Sequence, residues 1–367
     1  MNERRSYIKN LNLFPNVIAN LICNYDYYLK GTSQTIENKH AFYINNISVL
    51  SDGRIITFAS FPSSIKIWNT NTLNCEITLT DHEMFSSITT FPDGRVVSGS
   101  YDGTLKLWNL KTGTCDLTLH CSHSPCRISI LPDERIVCGS YDGNIRIWNL
   151  QTKQCDYTIF GSTTSHVVIV TLPNENIIYS STNNNNISLC MWDSHTHAKH
   201  TFVGHSDMVY CVVILPNDET NFRLISGSYD ATLKIWNLQT QSEIIHCDLT
   251  LFGHTDLVTC IAVLTDHTKN RIVSGSSDKT LRIWNLQTGK CELTLSGHIS
   301  CINCVTIIPD GRIASGSSNN MIKIWNPHNG ICDMTLTEHI NGIKSISVLP
   351  DGRLITDDYG NAIRIWS

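Results

Sequence analysis

The sequence predicts an all-β fold, eight four-stranded antiparallel sheets set as blades around a closed ring, preceded by a short helix. Two observations carry this expectation. All eight tryptophans (Trp68, Trp108, Trp148, Trp192, Trp236, Trp284, Trp325 and Trp366) end a short apolar-x-apolar-Trp run, separated by 40, 40, 44, 44, 48, 41 and 41 residues. A self-similar unit of roughly 40 to 45 residues is the period of a four-stranded sheet that cannot bury both faces alone and must stack on its neighbours. The second observation is turn chemistry: Pro-Asp-Gly, Tyr/Ser-Asp-Gly and Asn-Leu-Gln-Thr-Gly phrases recur between apolar runs, and Asp, Asn and Gly supply the conformations that join antiparallel strands.

Residues 1–31 lie outside the repeats and 32–367 form the ring. In the first segment Pro15 suits a first helical turn, and Ile18, Leu21, Ile22 and Tyr25 follow at the spacing of an amphipathic stripe. This helix reads as a cap on the ring. Alternatively, Leu13-Phe14-Pro15-Asn16-Val17-Ile18 resembles the opening of an F-box, which would imply a substrate receptor docking to a ubiquitin ligase through residues 11–29. The eighth unit ends at Ser367, one residue past its third strand, so closure needs a fourth strand from elsewhere to cover the open edge, and Thr32 to Asn38 is the expected donor. The sixth unit illustrates the rest: strands are expected over Leu257–Leu264, Arg271–Ser276, Thr280–Trp284 and Cys291–Leu295.

Three phrases are more specific. Gly-His occurs at Gly204-His205, Gly253-His254 and Gly297-His298; Ser-Gly-Ser-x-Asp runs from Ser98 to Asp102, Ser226 to Asp230 and Ser274 to Asp278; the unit Trp is commonly followed by Asn or Asp. On these residues the chain resembles the WD-repeat β-propeller family over about nine-tenths of its length. The resemblance implies that His, Ser, Asp and Trp of each unit join in one buried hydrogen-bonded chain: His82, Ser98, Asp102 and Trp108; His205, Ser226, Asp230 and Trp236; His254, Ser274, Asp278 and Trp284. These histidines and aspartates are then staples, each saving the ~1–3 kcal/mol of an unmet buried polar group.

Departures from that pattern are equally informative. The third unit keeps His123, Asp142 and Trp148 but has Cys138 in place of Ser, and the seventh has Asn319 in place of Asp. The eighth offers His339 and Thr356 with Gly360 at the aligned acidic position, the fourth carries Asn183 to Asn186 without Gly-His, and the first has Pro62 where Asp belongs. Weak networks are expected to soften blades one, four and eight.

Composition narrows the function. With 41% hydrophobic and 16% charged residues the chain has ample core material, and a net charge of −5 gives no global attraction to nucleic acid or anionic membrane. No signal peptide or spanning run of ~20 apolar residues is apparent, so a cytoplasmic protein is expected. Nine of the fifteen cysteines recur at repeat positions: Cys75, Cys115, Cys155, Cys247, Cys291 and Cys332 open a Cys-(Glu/Asp)-x-Thr-(Leu/Ile) phrase, and Cys211, Cys260 and Cys304 each follow a repeated His by six residues. Recurrence at a strand position is a packing solution, and Cys301-x-x-Cys304 lacks a second pair at zinc spacing. His195, His197 and His200 cluster in one polar loop without completing a metal set. The basic residue two before most tryptophans (Lys66, Lys106, Arg146, Lys234, Arg282, Lys323, Arg364) shares its Trp's face, which favours stem packing over a phosphate stripe.

No phosphate loop, nucleophile elbow or metalloprotease motif is present, so no enzyme and no cofactor are expected. What remains is surface. In WD-repeat propellers the residue before the turn Asp commonly faces partners on the narrow rim; here those positions are Tyr101, Tyr141, Tyr229, Ser277 and Ser318. Tyrosine anchors interfaces because it buries a large ring with few rotors, although tyrosines here would also shield the turn. The expected function is a non-catalytic scaffold for protein or peptide partners, a monomeric propeller within a larger complex.

Overall fold

The structure, a computed structural model, describes residues 29, 31–36, 44–60, 63–121, 123–160, 168–183, 186–216, 222–238, 242–264, 270–360 and 362–367. The expected amino-terminal helix, the F-box-like stretch, Pro62, Asn184 and Asn185 lie outside these residues. Among the described residues there is no helix.

Eight antiparallel sheets follow one another along the chain. Blade 1 is built from Ile44–Val49, Ile55–Ser60, Ser63–Trp68 and Cys75–Leu79, and the same meander repeats through the sixth blade, Val258–Val263, Arg271–Ser276, Leu281–Asn285 and Lys290–Leu295. The eighth blade takes Ile343–Val348, Leu354–Asp358 and Ile363–Trp366 from the end of the chain and Ser33–Ile36 from its start, with Ser33 opposite Trp366 and Thr35 opposite Arg364. The head strand imitates what it replaces. In blades 5 and 7 the basic residue before Trp perches on the outer strand's Cys-x-x-Thr phrase, as Lys323 Nζ donates to Thr335 Oγ1 at 3.0 Å and lies 3.9 Å from Cys332 Sγ. In blade 8, Arg364 donates to Thr35 Oγ1 at 2.9 Å and Ser33 Oγ at 3.1 Å. The repeated cysteines thus have a local task, their thiols meeting the carbonyl two residues on, as Cys291 does with Leu293 at 3.3 Å.

Blades stack through eight apolar clusters, each combining one blade's central strands with the next blade's. Contact is closest at the glycine of Ser-Gly-Ser. A Cβ on Gly227 would lie 2.6 Å from Val258 of the following blade, and one on Gly316 would lie 2.5 Å from Ile343. The innermost strands are also tied directly: Thr259 Oγ1 donates to the Ile302 carbonyl at 2.6 Å, Asn303 Nδ2 to that of Ile343 at 2.7 Å and Lys344 Nζ to that of Ile44 at 2.6 Å. Each donor sits at a bulge where its strand's register shifts, which turns the side chain toward the next blade.

Blade 4 departs from four strands. Ile244–His246, from the lengthened connection before blade 5's outer strand, pairs in parallel with Lys199–Val203 as a fifth strand. His200 Nδ1 meets the Ser242 carbonyl at 2.7 Å, while His195 bonds Ser194 and His197 stacks on Tyr157 with ring centroids 4.2 Å apart. The three loop histidines therefore face different partners.

The blade 8 network corrects one expectation. Gly360 is not the functional counterpart of the turn acid; Asp358 is, accepting from His339 Nδ1 at 3.1 Å, while Thr356 Oγ1 bonds His339 Nε2 and Trp366 Nε1, each at 2.8 Å. The Oδ2 of Asp358 reaches the histidine from two residues after Thr356 because its backbone stays in the strand while its side chain turns to the loop. Blade 8 is thus fully wired.

Candidate interaction face

In blades 2, 5, 6 and 8 the turn between second and third strands is fixed from beneath by the polar chain. In blade 6, Trp284 Nε1 donates to Ser274 Oγ at 2.8 Å, Ser274 Oγ meets His254 Nε2 at 2.8 Å, and His254 Nδ1 meets Asp278 at 2.7 Å. Because the serine oxygen receives the indole proton, its hydroxyl donates to Nε2, leaving Nδ1 protonated and pointed at the carboxylate. Blade 5 has the same distances through Trp236, Ser226, His205 and Asp230, and blade 2 through Trp108, Ser98, His82 and Asp102, with a longer 3.4 Å last link. Burial works against ionisation of Asp230 and Asp278, yet hydrogen bonds from the histidines and from Thr232 and Thr280 outweigh it and hold both well below the usual carboxylate range. Burial pushes His82 down, which keeps it neutral.

Blades 3 and 7 keep the histidine but lack other parts of this chain. In blade 7, His298 Nε2 and Trp325 Nε1 both reach Ser315, but His298 Nδ1 and the Asn319 amide have no hydrogen-bond partner. Burial, with the charge of Lys323, pushes His298 down to about 4 against a smaller opposing effect of the nearby Asn319 side chain. In blade 3, Cys138 replaces the serine and Trp148 Nε1 is left without a partner. Arg146 joins Asp142 at 3.1 and 2.5 Å, and His123, still 3.2 Å from that carboxylate, has a side chain 57% exposed against 0% for His254.

All five expected rim positions are structurally equivalent. The amides of Tyr101, Tyr141, Tyr229, Ser277 and Ser318 donate to the carbonyls of Met84, Ser124, Met208, Leu257 and Cys301, at 2.9–3.1 Å, just before each innermost strand. Tyr359 makes the same bond to Gly342 at 3.0 Å, which adds an eighth-blade tyrosine passed over because no turn Asp follows it, although it directly precedes the aligned Gly360. The four turn tyrosines are about half exposed; Ser318 is exposed and bonds Asn303, while Ser277 is only half-buried. Tyr101 and Tyr141 stack at 5.6 Å with their hydroxyls 3.0 Å apart. Tyr210, missed because it belongs to a strand, stands at the blade 5 bulge and packs edge-on against Tyr229 at 5.8 Å.

Known proteins agree with this architecture. The family model described as WD domain, G-beta repeat matches residues 73–109, 113–149, 197–237, 245–285, 289–326 and 330–367. The chain belongs to the WD-repeat family. Each match begins at the outer strand of one blade and ends at the third strand of the next, the offset that makes a WD-repeat ring close by lending a strand. Among curated relatives, an uncharacterized WD repeat-containing protein of Schizosaccharomyces pombe is 40% identical over 68 residues, 18% of this chain and 17% of the relative. The ribosome biogenesis protein YTM1 of Coccidioides immitis is 36% identical over 63 residues, 17% of this chain and 13% of the relative. The chain thus spans less than a fifth of the length of these relatives. Among solved structures, the computationally designed Ika8 protein superposes with a TM-score of 0.76 at 22% identity, covering 90% of this chain and 98% of that one. The WD40 β-propeller domain of Doa1 gives a TM-score of 0.58 at 18% identity, covering 94% and 98%. These two likenesses concern the fold.

Proposed function

We propose that this WD-repeat propeller is a non-catalytic scaffold that binds protein segments on the rim bearing Tyr101, Tyr141, Tyr229 and Tyr359. The observation that carries the reading is that these half-exposed rings recur at one backbone-locked position and lie on one face, with Tyr210 beside them. Their turns are held by buried networks and stacked sheets, so a docking partner meets a surface already ordered and loses little entropy on arrival. Aromatic rings with polar tips are the side chains that most often carry interface energy.

Affinity purification decides the matter. Proteins recovered with the wild type are expected to be lost when Tyr101, Tyr141 and Tyr229 are changed together to Ala, and retained when Asp351 and Arg353, which pair on the opposite face at 2.7 Å, are both changed to Ala. Unchanged recovery with the triple tyrosine variant would sink the choice of face.

A further inference from the structure

Between the turns of blades 2 and 3 the rim opens into a cleft of about 370 Å³ lined by Tyr101, Asp102, His123, Ser124, Tyr141 and Asp142. It owes its shape to the dismantled network of blade 3. With Cys138 in the serine position and Arg146 on Asp142, the histidine that elsewhere is sealed beneath the turn becomes part of the wall. One side of the cleft is the stacked Tyr101–Tyr141 pair, tied by its hydroxyls and so set before any ligand arrives.

We propose that this cleft is a subsite for one cationic side chain, the guanidinium or ammonium of a basic segment in the protein partner. The proposal deepens the docking reading above and rests on it. Its first support is local charge. Asp142 is matched by Arg146, but Asp102 faces His82, which burial keeps neutral, so the cleft retains one uncompensated carboxylate. Partial burial works against ionisation of Asp102, yet hydrogen bonds from Thr104 and Ser100 outweigh it and hold the carboxyl below its ordinary range. A carboxylate beside tyrosine rings suits a cation, which gains from both the charge and the ring quadrupole.

The second support is the surrounding rim. Among its described turn residues, Asp81, Glu83, Asp102, Asp207, Asp256 and Glu338 are exposed, opposed by exposed Lys279 on the turns and by exposed Arg127 on the innermost strand of blade 3. Asp81 is paired with Lys106 and Glu338 with Arg364, which leaves the remainder to favour an approaching basic segment and repel an acidic one.

The test uses the full chain and fluorescein-labelled hexa-arginine and hexa-glutamate peptides, read by fluorescence anisotropy. Hexa-arginine is expected to bind and hexa-glutamate not. Ser124→Arg, which lodges a cation of the protein's own in the cleft, should weaken hexa-arginine binding at least about tenfold. Asp102→Asn should do the same, whereas Asp256→Asn, removing a charge elsewhere on the rim, should change it less than about threefold. Circular dichroism of each variant reports folding, and Ser124→Arg leaves the polar chain of blade 2 untouched should Asp102→Asn disturb it. The proposal is overturned if hexa-arginine does not bind, if hexa-glutamate binds as well, if Ser124→Arg binds like wild type, or if Asp256→Asn is as damaging. Should partner recovery depend on the tyrosines while Ser124→Arg leaves hexa-arginine binding intact, the docking face stands and the subsite falls.

Discussion

Lys344 of the last blade donates its ammonium to the main-chain carbonyl of Ile44 in the first, 2.6 Å away, across the seam where the two ends of the chain meet. At other junctions a neutral Thr or Asn performs this task. Burial pushes the Lys344 ammonium below its usual range, and the neighbouring Asp357 carboxylate opposes that shift. Lys344→Met keeps the stem and removes the donor, and should lower the unfolding free energy by about 1–3 kcal/mol, measured by urea titration of tryptophan fluorescence. Thr259→Val at an interior junction should cost less; the reverse order would contradict a special role for the charged seam.

Ser274 Oγ serves Trp284 and His254 at once. Ser274→Ala strips both of a partner in a site with no exposure, so a loss of about 2–4 kcal/mol is expected in the same urea measurement. A loss below about 1 kcal/mol would mean the network is incidental to stability.

Blade 7 permits the opposite experiment. His298 Nδ1 and the Asn319 amide are buried without partners, where blade 6 has a bond of 2.7 Å. Asn319→Asp should supply the missing acceptor and raise the urea midpoint, a gain of about 1 kcal/mol, and lift the His298 pKa as followed by NMR. No change in either quantity would show that the turn of blade 7 cannot bring the two together.

Acid titration should expose two opposing groups. Burial raises Asp357 to about 6 and leaves its Oδ2 unpaired, while Ser345 donates to the other oxygen and Lys344 and His339 lie nearby. The folded chain holds that proton more tightly than the unfolded one, so the Asp357 contribution is full below about 4 and is lost as pH rises through 6. His298, lowered to about 4, behaves conversely, contributing fully above about 6.5 and less as pH falls toward 4. Asp357→Asn removes the first slope alone. Relative to wild type, the variant should gain up to about 3 kcal/mol between pH 4 and 7, and a pH-independent difference would refute the assignment.

The period and the turn phrases were enough to read eight blades and a head strand pairing with the tail, because both follow from backbone bonds that must be met somewhere. The rim tyrosines on regular turns were legible for the same reason. Tyr359 and Asp358 were not, since blade 8 replaces Ser-Gly-Ser-x-Asp by Thr356-Asp357-Asp358-Tyr359 and moves the acid two residues closer while keeping the hydrogen bond. Tyr210 escaped because a bulge, invisible in the pattern, decides which side chain leaves the strand. The cleft was hidden too: Cys138 was visible, but that Asp142 would be shared between Arg146 and an exposed His123 shows only in three dimensions. Blades 1 and 4 diverge most from the family pattern, with Thr57–Phe58 and Tyr179–Ser180 at the Ser-Gly positions, and the family model passes over them.

The parallel strand Ile244–His246 stitches the outside of blade 4 with chain that belongs, by sequence, to the following unit. Excising or duplicating a single repeat at this point would strand that segment without its host, or the host's edge without its cover. Any recombination of this gene that yields a working ring must therefore carry the fourth and fifth units as an inseparable pair, and a designer shortening or lengthening the ring should cut elsewhere.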